Sequence, residues 1–192
     1  TSGFDVFISG QVPVGSGLSS SAAFEVLIAS VMNGLFFGGQ IPPDVLARAG
    51  QYAENTHFGK PCGLMDQMAS AVGGIVKIDF KNPDEPLVER LSVNFSDFGY
   101  KLCIIDTGAK HDRLGDEYAA IPAEMSGVAQ LLGADKLREI SKERFFAELP
   151  KLRAQLTDRA LLRALHFFNE NERVGSELDA LKQGDFEGFL RL

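Results

Sequence analysis

The chain has 192 residues, 45% of them hydrophobic and 23% charged. That is the composition of an ordinary folded domain and far too apolar for disorder. The net charge is −7 with no block of Lys or Arg, which argues against a nucleic-acid footprint and leaves any anionic ligand to be held by local geometry.

Two cysteines, Cys62 and Cys103, lie outside any CxxC or Cys/His cluster. Neither a disulfide framework nor a structural zinc is expected, and a reducing cytoplasm is the default. No run reaches the roughly 18 apolar residues of a membrane span. The opening TSGFD has neither the basic nor the apolar part of a signal peptide. The chain starts without Met just before a strand pattern and stops in the apolar pattern FEGFLRL, so a piece of a longer polypeptide is expected.

In chain order, Phe4, Val6, Ile8 and Val12 alternate with Asp5, Ser9 and Gln11, the pattern of a half-buried strand. Residues 22–37 are apolar nearly all round, interrupted by Glu25 and Asn33, which predicts a core helix. GGQIPPD breaks the chain, and Asp44 opens an amphipathic helix carrying Val45, Leu46, Ala49, Tyr52 and Ala53. HFGKPCG reads as a loop and residues 64–72 as a helix ended by Gly73-Gly74. Three strands are predicted at GIVKIDF, PLVERLSV and YKLCIIDTG. Beyond about Ile121 the chain is helical, with Thr157 as an N-cap and Gly184 as a stop. The order suits α+β, with a boundary near residue 120.

Between the first strand and the core helix lies PVGSGLSSSAA. A flexible spacer has nothing to separate there. Glycines let a backbone approach a ligand closely. The first N–H groups of a helix lack intrahelical partners and sit at the positive end of its dipole. Together they form a cradle for phosphate, and serine hydroxyls can donate to phosphate oxygens or face Mg²⁺. The known phosphate motifs do not account for it. A Walker A loop needs a lysine after the second glycine, the dinucleotide fingerprint needs glycine where Ser20 stands, and a G-x-S-x-G elbow is absent.

The string P-x-G-x-G-L-S-S-S-A, Pro13 to Ala22, resembles the phosphate-binding motif of the GHMP small-molecule kinases, the galactokinases in particular. A second stretch, ENTHFGKPCGLMDQ, matches that branch at Glu54, Gly59, Pro61, Cys62, Gly63, Met65, Asp66 and Gln67. The resemblance implies an α+β GHMP-kinase fold. Residues 1–120 would be the later part of a ribosomal-S5-like, ATP-binding N-terminal domain, and 121–192 the helical start of a ferredoxin-like C-terminal one. It implies that Pro13, Gly15, Ser16, Gly17, Leu18, Ser19, Ser20 and Ser21 hold ATP. Ser21 and Glu54 would hold Mg²⁺, Asp66 would be the catalytic aspartate, and Gly63, Asp66 and Tyr118 would face the sugar. An Asp in the first turn of a helix is kept ionised by the dipole and can take or orient a hydroxyl proton.

Around AKHDRLGDEY the further candidates are Lys110, His111, Glu117 and Tyr118. Lys110 stands where the family usually has arginine, and AAIPAEM replaces a run of arginines. The implied reaction is transfer of the ATP γ-phosphoryl group to the anomeric hydroxyl of galactose by the parent protein, with the isolated segment expected to be inactive. Another GHMP sugar kinase and a catalytically silent ATP- and sugar-binding sensor are the alternatives. Retention of Asp66 and Glu54 argues against the sensor. His166, between Leu165 and Phe167, is expected to be a hydrogen-bonded core histidine.

Overall fold

The computed structural model describes residues 3–14, 17–105 and 115–192. The chain divides into two compact units, Thr1–His111 and Asp112–Leu192. Among the described residues there are helices and one two-stranded sheet, a mixed content that fits the α+β class.

In the first unit, α1 spans Ser20–Phe37, α2 Pro43–Tyr52 and α3 Met65–Val72. Two glycines end α1. Gly38 is left-handed at φ 61°, and its N–H and that of Gly39 both donate to the Asn33 carbonyl. The buried Asn33 side chain then exchanges two hydrogen bonds of 3.0 Å with the backbone of Ile41, which fixes the return into α2. Pro43 occupies the first turn of α2, where its missing N–H costs nothing. The buried Gly50 lets three helices approach. A Cβ there would meet Glu25 of α1 at 3.2 Å and Gln67 of α3 at 3.4 Å.

The hairpin β1 (Ile75–Asp79) and β2 (Leu87–Leu91) is antiparallel, with Ile75 opposite Leu91 and Asp79 opposite Leu87. Its apolar face and α3 close on a small core of Ala47, Leu64 and Met68.

Two predicted strands do not form among the described residues, and residues 106–108 of the second lie outside them. Over residues 4–12 no strand forms, and Phe4, Val6 and Val12 are exposed, with the Phe4 ring packed on Phe36. Residues 100–105 are likewise irregular, with Leu102, Ile104 and Ile105 exposed. Alternation supplies an apolar face, but a strand also needs a neighbour for its backbone groups. These segments find none among the described residues. Helix α1 is also less buried than its composition predicts. Only Ala22, Val26 and Asn33 are buried, while Phe24, Leu27, Met32 and Leu35 remain exposed. By length and mean hydropathy (18 residues, 1.5) it could cross a bilayer, contrary to the sequence expectation. Its Asn33 and Glu25 side chains are engaged within the protein, Asn33 with Ile41 and Glu25 with Gln67.

The second unit is helical: α4 (Gly115–Leu131), α5 (Lys142–Arg153), α6 (Asp158–Gln183) and α7 (Phe186–Arg191). Its core is larger and includes Val128, Leu132, Phe145, Leu152, Leu161 and Phe168, with the Phe145 and Phe168 rings 5.3 Å apart. The Thr157 hydroxyl accepts from the Ala160 N–H at 3.3 Å, and Gly184 ends α6 at φ 72°, as the sequence predicts. His166 corrects the expectation. Helical phase turns Leu161, Ala164 and Phe168 inward and His166 outward, exposed beside Glu170.

Candidate active site

The glycine–serine loop enters α1 through two left-handed residues, Gly17 at φ 76° and Ser19 at φ 53°. Glycine adopts this conformation freely. Serine does so at a cost of about 1–2 kcal/mol, and among the described residues Ser19 is the only non-glycine that does. Strain of this kind persists where surrounding contacts hold it. Here the Ser19 hydroxyl, which at an N-cap would normally accept from a helix N–H, makes no such bond. It donates instead to Asp66 Oδ2 at 2.6 Å. Asp66 lies in the first turn of α3 and is exposed, so the start of one helix meets the start of another at a carboxylate open to solvent.

Within the first turn of α1, the Ser21 hydroxyl donates to Glu54 Oε1 at 2.9 Å. Glu54 comes from a π-helical turn, Ala53–His57, that continues α2. Such turns rotate a side chain out of the α-helical phase and recur at functional sites. The turn closes through Gly59, left-handed at φ 62°, so that the Lys60 N–H reaches the Glu54 carbonyl at 3.2 Å. Lys60 Nζ then donates to Glu54 Oε1 at 2.6 Å and to Ser21 Oγ at 3.5 Å.

Glu54 is only 4% exposed. Burial works against its ionisation, but hydrogen bonds from Lys60, Cys62 and Ser21 outweigh it and hold the carboxyl below its ordinary range. The Lys60 ammonium is held above its ordinary range, chiefly by its bond to Glu54. Glu25 is pushed up by burial, and Glu54 nearby adds to the shift.

Gln67 is 1% exposed and ties the acids together. Its Nε2 donates to Glu54 Oε2 at 3.0 Å and Glu25 Oε2 at 3.2 Å, and reaches Cys62 Sγ at 3.6 Å. Turning the amide over would set an oxygen against two carboxylates, so its orientation is determined. The PCG segment is tied to α2 and the π-turn. The Cys62 N–H donates to Asn55 Oδ1 at 2.7 Å, and its carbonyl accepts from Gln51 and Asn55. Burial pushes the Cys62 thiol up, away from reactive thiolate.

The structure thus gathers Ser19, Ser21, Glu54 and Asp66 from two motifs more than thirty residues apart. Ser20 opens α1, Pro13 and Leu18 lie in the loop before it, and Gly63 is exposed with open space where a Cβ would stand. Gly15, Ser16, Lys110 and His111 lie outside the described residues. Tyr118 is exposed on α4 of the second unit, and its neighbour Glu117 pairs with Arg163 and Arg159. A cavity of about 530 Å³ borders the polar cluster, walled by Phe24, Ile28, Met32 and Phe58. Those walls are apolar, so a polyphosphate is better matched to the loop amides than to this hollow.

Sequence reading missed the roles of Lys60, Glu25 and Gln67. One signal for Lys60 was available. Within residues 2–74 the only Lys or Arg side chains are Arg48 and Lys60. Arg48 is committed to the Pro83 and Asp84 carbonyls.

Residues 2–74 match the family model of the GHMP kinases N terminal domain. The similarity extends further, to galactokinases, over nearly all of this chain's length. It is 37% identical to the galactokinase of Glaesserella parasuis over 96% of this chain and 47% of that protein. It is 36% identical to that of Thermotoga neapolitana over 97% of this chain and 50% of that one. It is similar in structure to the Lactococcus lactis galactokinase solved with galactose, at a TM-score of 0.70 and 25% identity, covering 94% of this chain and 46% of that one. The chain spans about half the length of the curated relatives it matches.

Proposed function

We propose that the protein to which this chain belongs phosphorylates galactose at its anomeric hydroxyl, with ATP as donor. The observation that carries the reading is the pairing of the two motifs: Ser19 bonded to Asp66 and Ser21 bonded to Glu54. The homology to galactokinases supports it.

In this reading Pro13, Gly15, Ser16, Gly17, Leu18 and Ser19 to Ser21 form the cradle, and the first amides of α1 receive the phosphates. Asp66 orients and accepts the proton of the attacking hydroxyl, and Ser19 fixes the carboxylate that does so. Gly63 leaves room beside it for the sugar. Residues 1–120 are read as the later part of the ATP-binding domain and 121–192 as the helical start of the next. A reaction that draws on ATP places the protein in the cytoplasm.

The cradle also carries a charge problem. Glu25, Glu54 and Asp66 face it with Lys60 as the local cation, so a polyphosphate needs further positive charge. Mg²⁺ fits the donor set at Ser21 and Glu54, a hydroxyl and a carboxylate oxygen. Their 2.9 Å separation is close to the edge of an octahedron with bonds of about 2.1 Å, about 3.0 Å. When bound, the ion neutralises charge developing on the transferred group.

Asp66→Ala in the full protein is the test. A fall in kcat of roughly 10²–10⁴-fold with ATP binding retained is expected, measured by coupled assay and calorimetry. Turnover that survives the substitution would exclude Asp66 as the base.

A further inference from the structure

We propose that the Lys60 ammonium is a tethered competitor for the divalent cation at the Ser21–Glu54 pair, one that must be displaced before the metal takes those oxygens. This rests on the metal reading of Ser21 and Glu54 given above.

Three observations carry it. First, Lys60 Nζ contacts the same two oxygens the metal would use, Glu54 Oε1 at 2.6 Å and Ser21 Oγ at 3.5 Å. A metal taking both oxygens would use the same oxygens the ammonium now bonds, and two cations drawn to one pair of oxygens repel each other. Second, the contact is built by the backbone. The 54–60 loop closes on itself through the Lys60 N–H to Glu54 carbonyl bond and the left-handed Gly59, which returns the lysine over the glutamate. Third, the two partners differ in freedom. The Glu54 side chain is 5% exposed and fixed by Gln67, whereas the Lys60 side chain is 64% exposed. The lysine stem can therefore swing away while the carboxylate stays in place. The ammonium stabilises the buried carboxylate until the metal arrives, and metal affinity is lowered by the cost of moving it.

The displaced ammonium would stay within a side chain's length of the metal and the phosphates it carries. The competition therefore weakens free metal more than metal arriving with polyphosphate, which offers the lysine new oxygens.

The probe is Mn²⁺, an oxygen-seeking stand-in visible by electron paramagnetic resonance, titrated into the full chain without nucleotide at 0.15 M salt. Lys60→Met is expected to tighten Mn²⁺ binding roughly three- to tenfold, the worth of one charge-assisted contact. Lys60→Arg should remain as weak as wild type. Lys81→Met removes the same charge from an exposed residue just after β1 and should change affinity less than twofold, because exposed charges are screened by salt. Circular dichroism checks that each variant folds. Unchanged or weaker Mn²⁺ binding in Lys60→Met, with binding lost in Glu54→Gln, overturns the competition while the metal site stands. Equal tightening in Lys81→Met overturns it as well, since the effect would then be general charge. Mn²⁺ binding indifferent to Ser21→Ala and Glu54→Gln overturns the metal reading and the competition with it.

Discussion

The two units use the same residue types for different ends. The second buries a continuous apolar core around Phe145 and Phe168 and keeps its charges outside, paired along α4 and α6 as in Glu124 with Arg163. The first buries little beyond Ala47, Leu64 and Met68, yet it buries Glu54 and Gln67 almost completely. Helix starts show the contrast most clearly. Thr157 uses its hydroxyl to cap its own helix, while Ser19, at the equivalent place on α1, gives its hydroxyl to Asp66. A hydroxyl that makes a local capping bond in one unit makes a side-chain bond between two helices in the other.

Substitutions can break or sharpen that contrast. The largest effect is expected from Phe145→Ala, about 3–5 kcal/mol from a side chain 1% exposed, read as lost hydrogen-exchange protection in α5 and α6. If the first unit lost hydrogen-exchange protection as well, the two units would not be energetically separate.

Glu54→Gln comes next, at about 1–3 kcal/mol, because it removes a buried charge from Lys60, Ser21 and Gln67. Its pH signature has a fixed sign. The carboxyl is held low when folded, so its contribution is full above the ordinary glutamate value of about 4.3 and fades as pH falls through the lowered value. Lys60 is held high, so its contribution is full below about 10.4 and is lost only as pH rises above that. Urea melts of wild type minus Glu54→Gln should therefore differ by a constant near neutrality, with the difference shrinking in acid.

Thr157→Ala should cost about 1 kcal/mol of stability by denaturant titration. Ser19→Ala should cost less, since no cap bond is lost, while weakening catalysis through Asp66. Equal losses from the two would show that Ser19 is an ordinary cap. The smallest effect is expected from Glu25→Gln. Its carboxyl is pushed up by burial, so ionising it as pH rises disfavours the fold. The amide should be neutral or slightly stabilising at pH 7, by thermal melting.

Legibility in the sequence followed the range of the interactions. The cap and stop of α6, the Gly73-Gly74 end of α3 and the β1–β2 hairpin are local, and they form where turn residues and periodicity put them. The segments at 4–12 and 100–105 carry strand patterns but remain irregular, because pairing is a property of two segments. His166 was misplaced by reading its apolar neighbours instead of helical phase. Ser21, Glu54 and Asp66 could be singled out by resemblance, and they do converge. Gln67 as the bridge could not, since it depends on how three helices meet, and Lys60 as the counter-ion was signalled only by the scarcity of cations in that segment.

The π-turn at Ala53–His57 has a consequence for how such a site can change. Each residue added to or removed from a helix turns everything beyond it by about 100°. Removing Thr56 would leave every hydroxyl, acid and amine of the cluster in the chain, yet Glu54 and Lys60 would no longer share a side. The site is written in spacing as much as in residue identity. A one-residue deletion that changes no functional side chain could silence it more thoroughly than most substitutions.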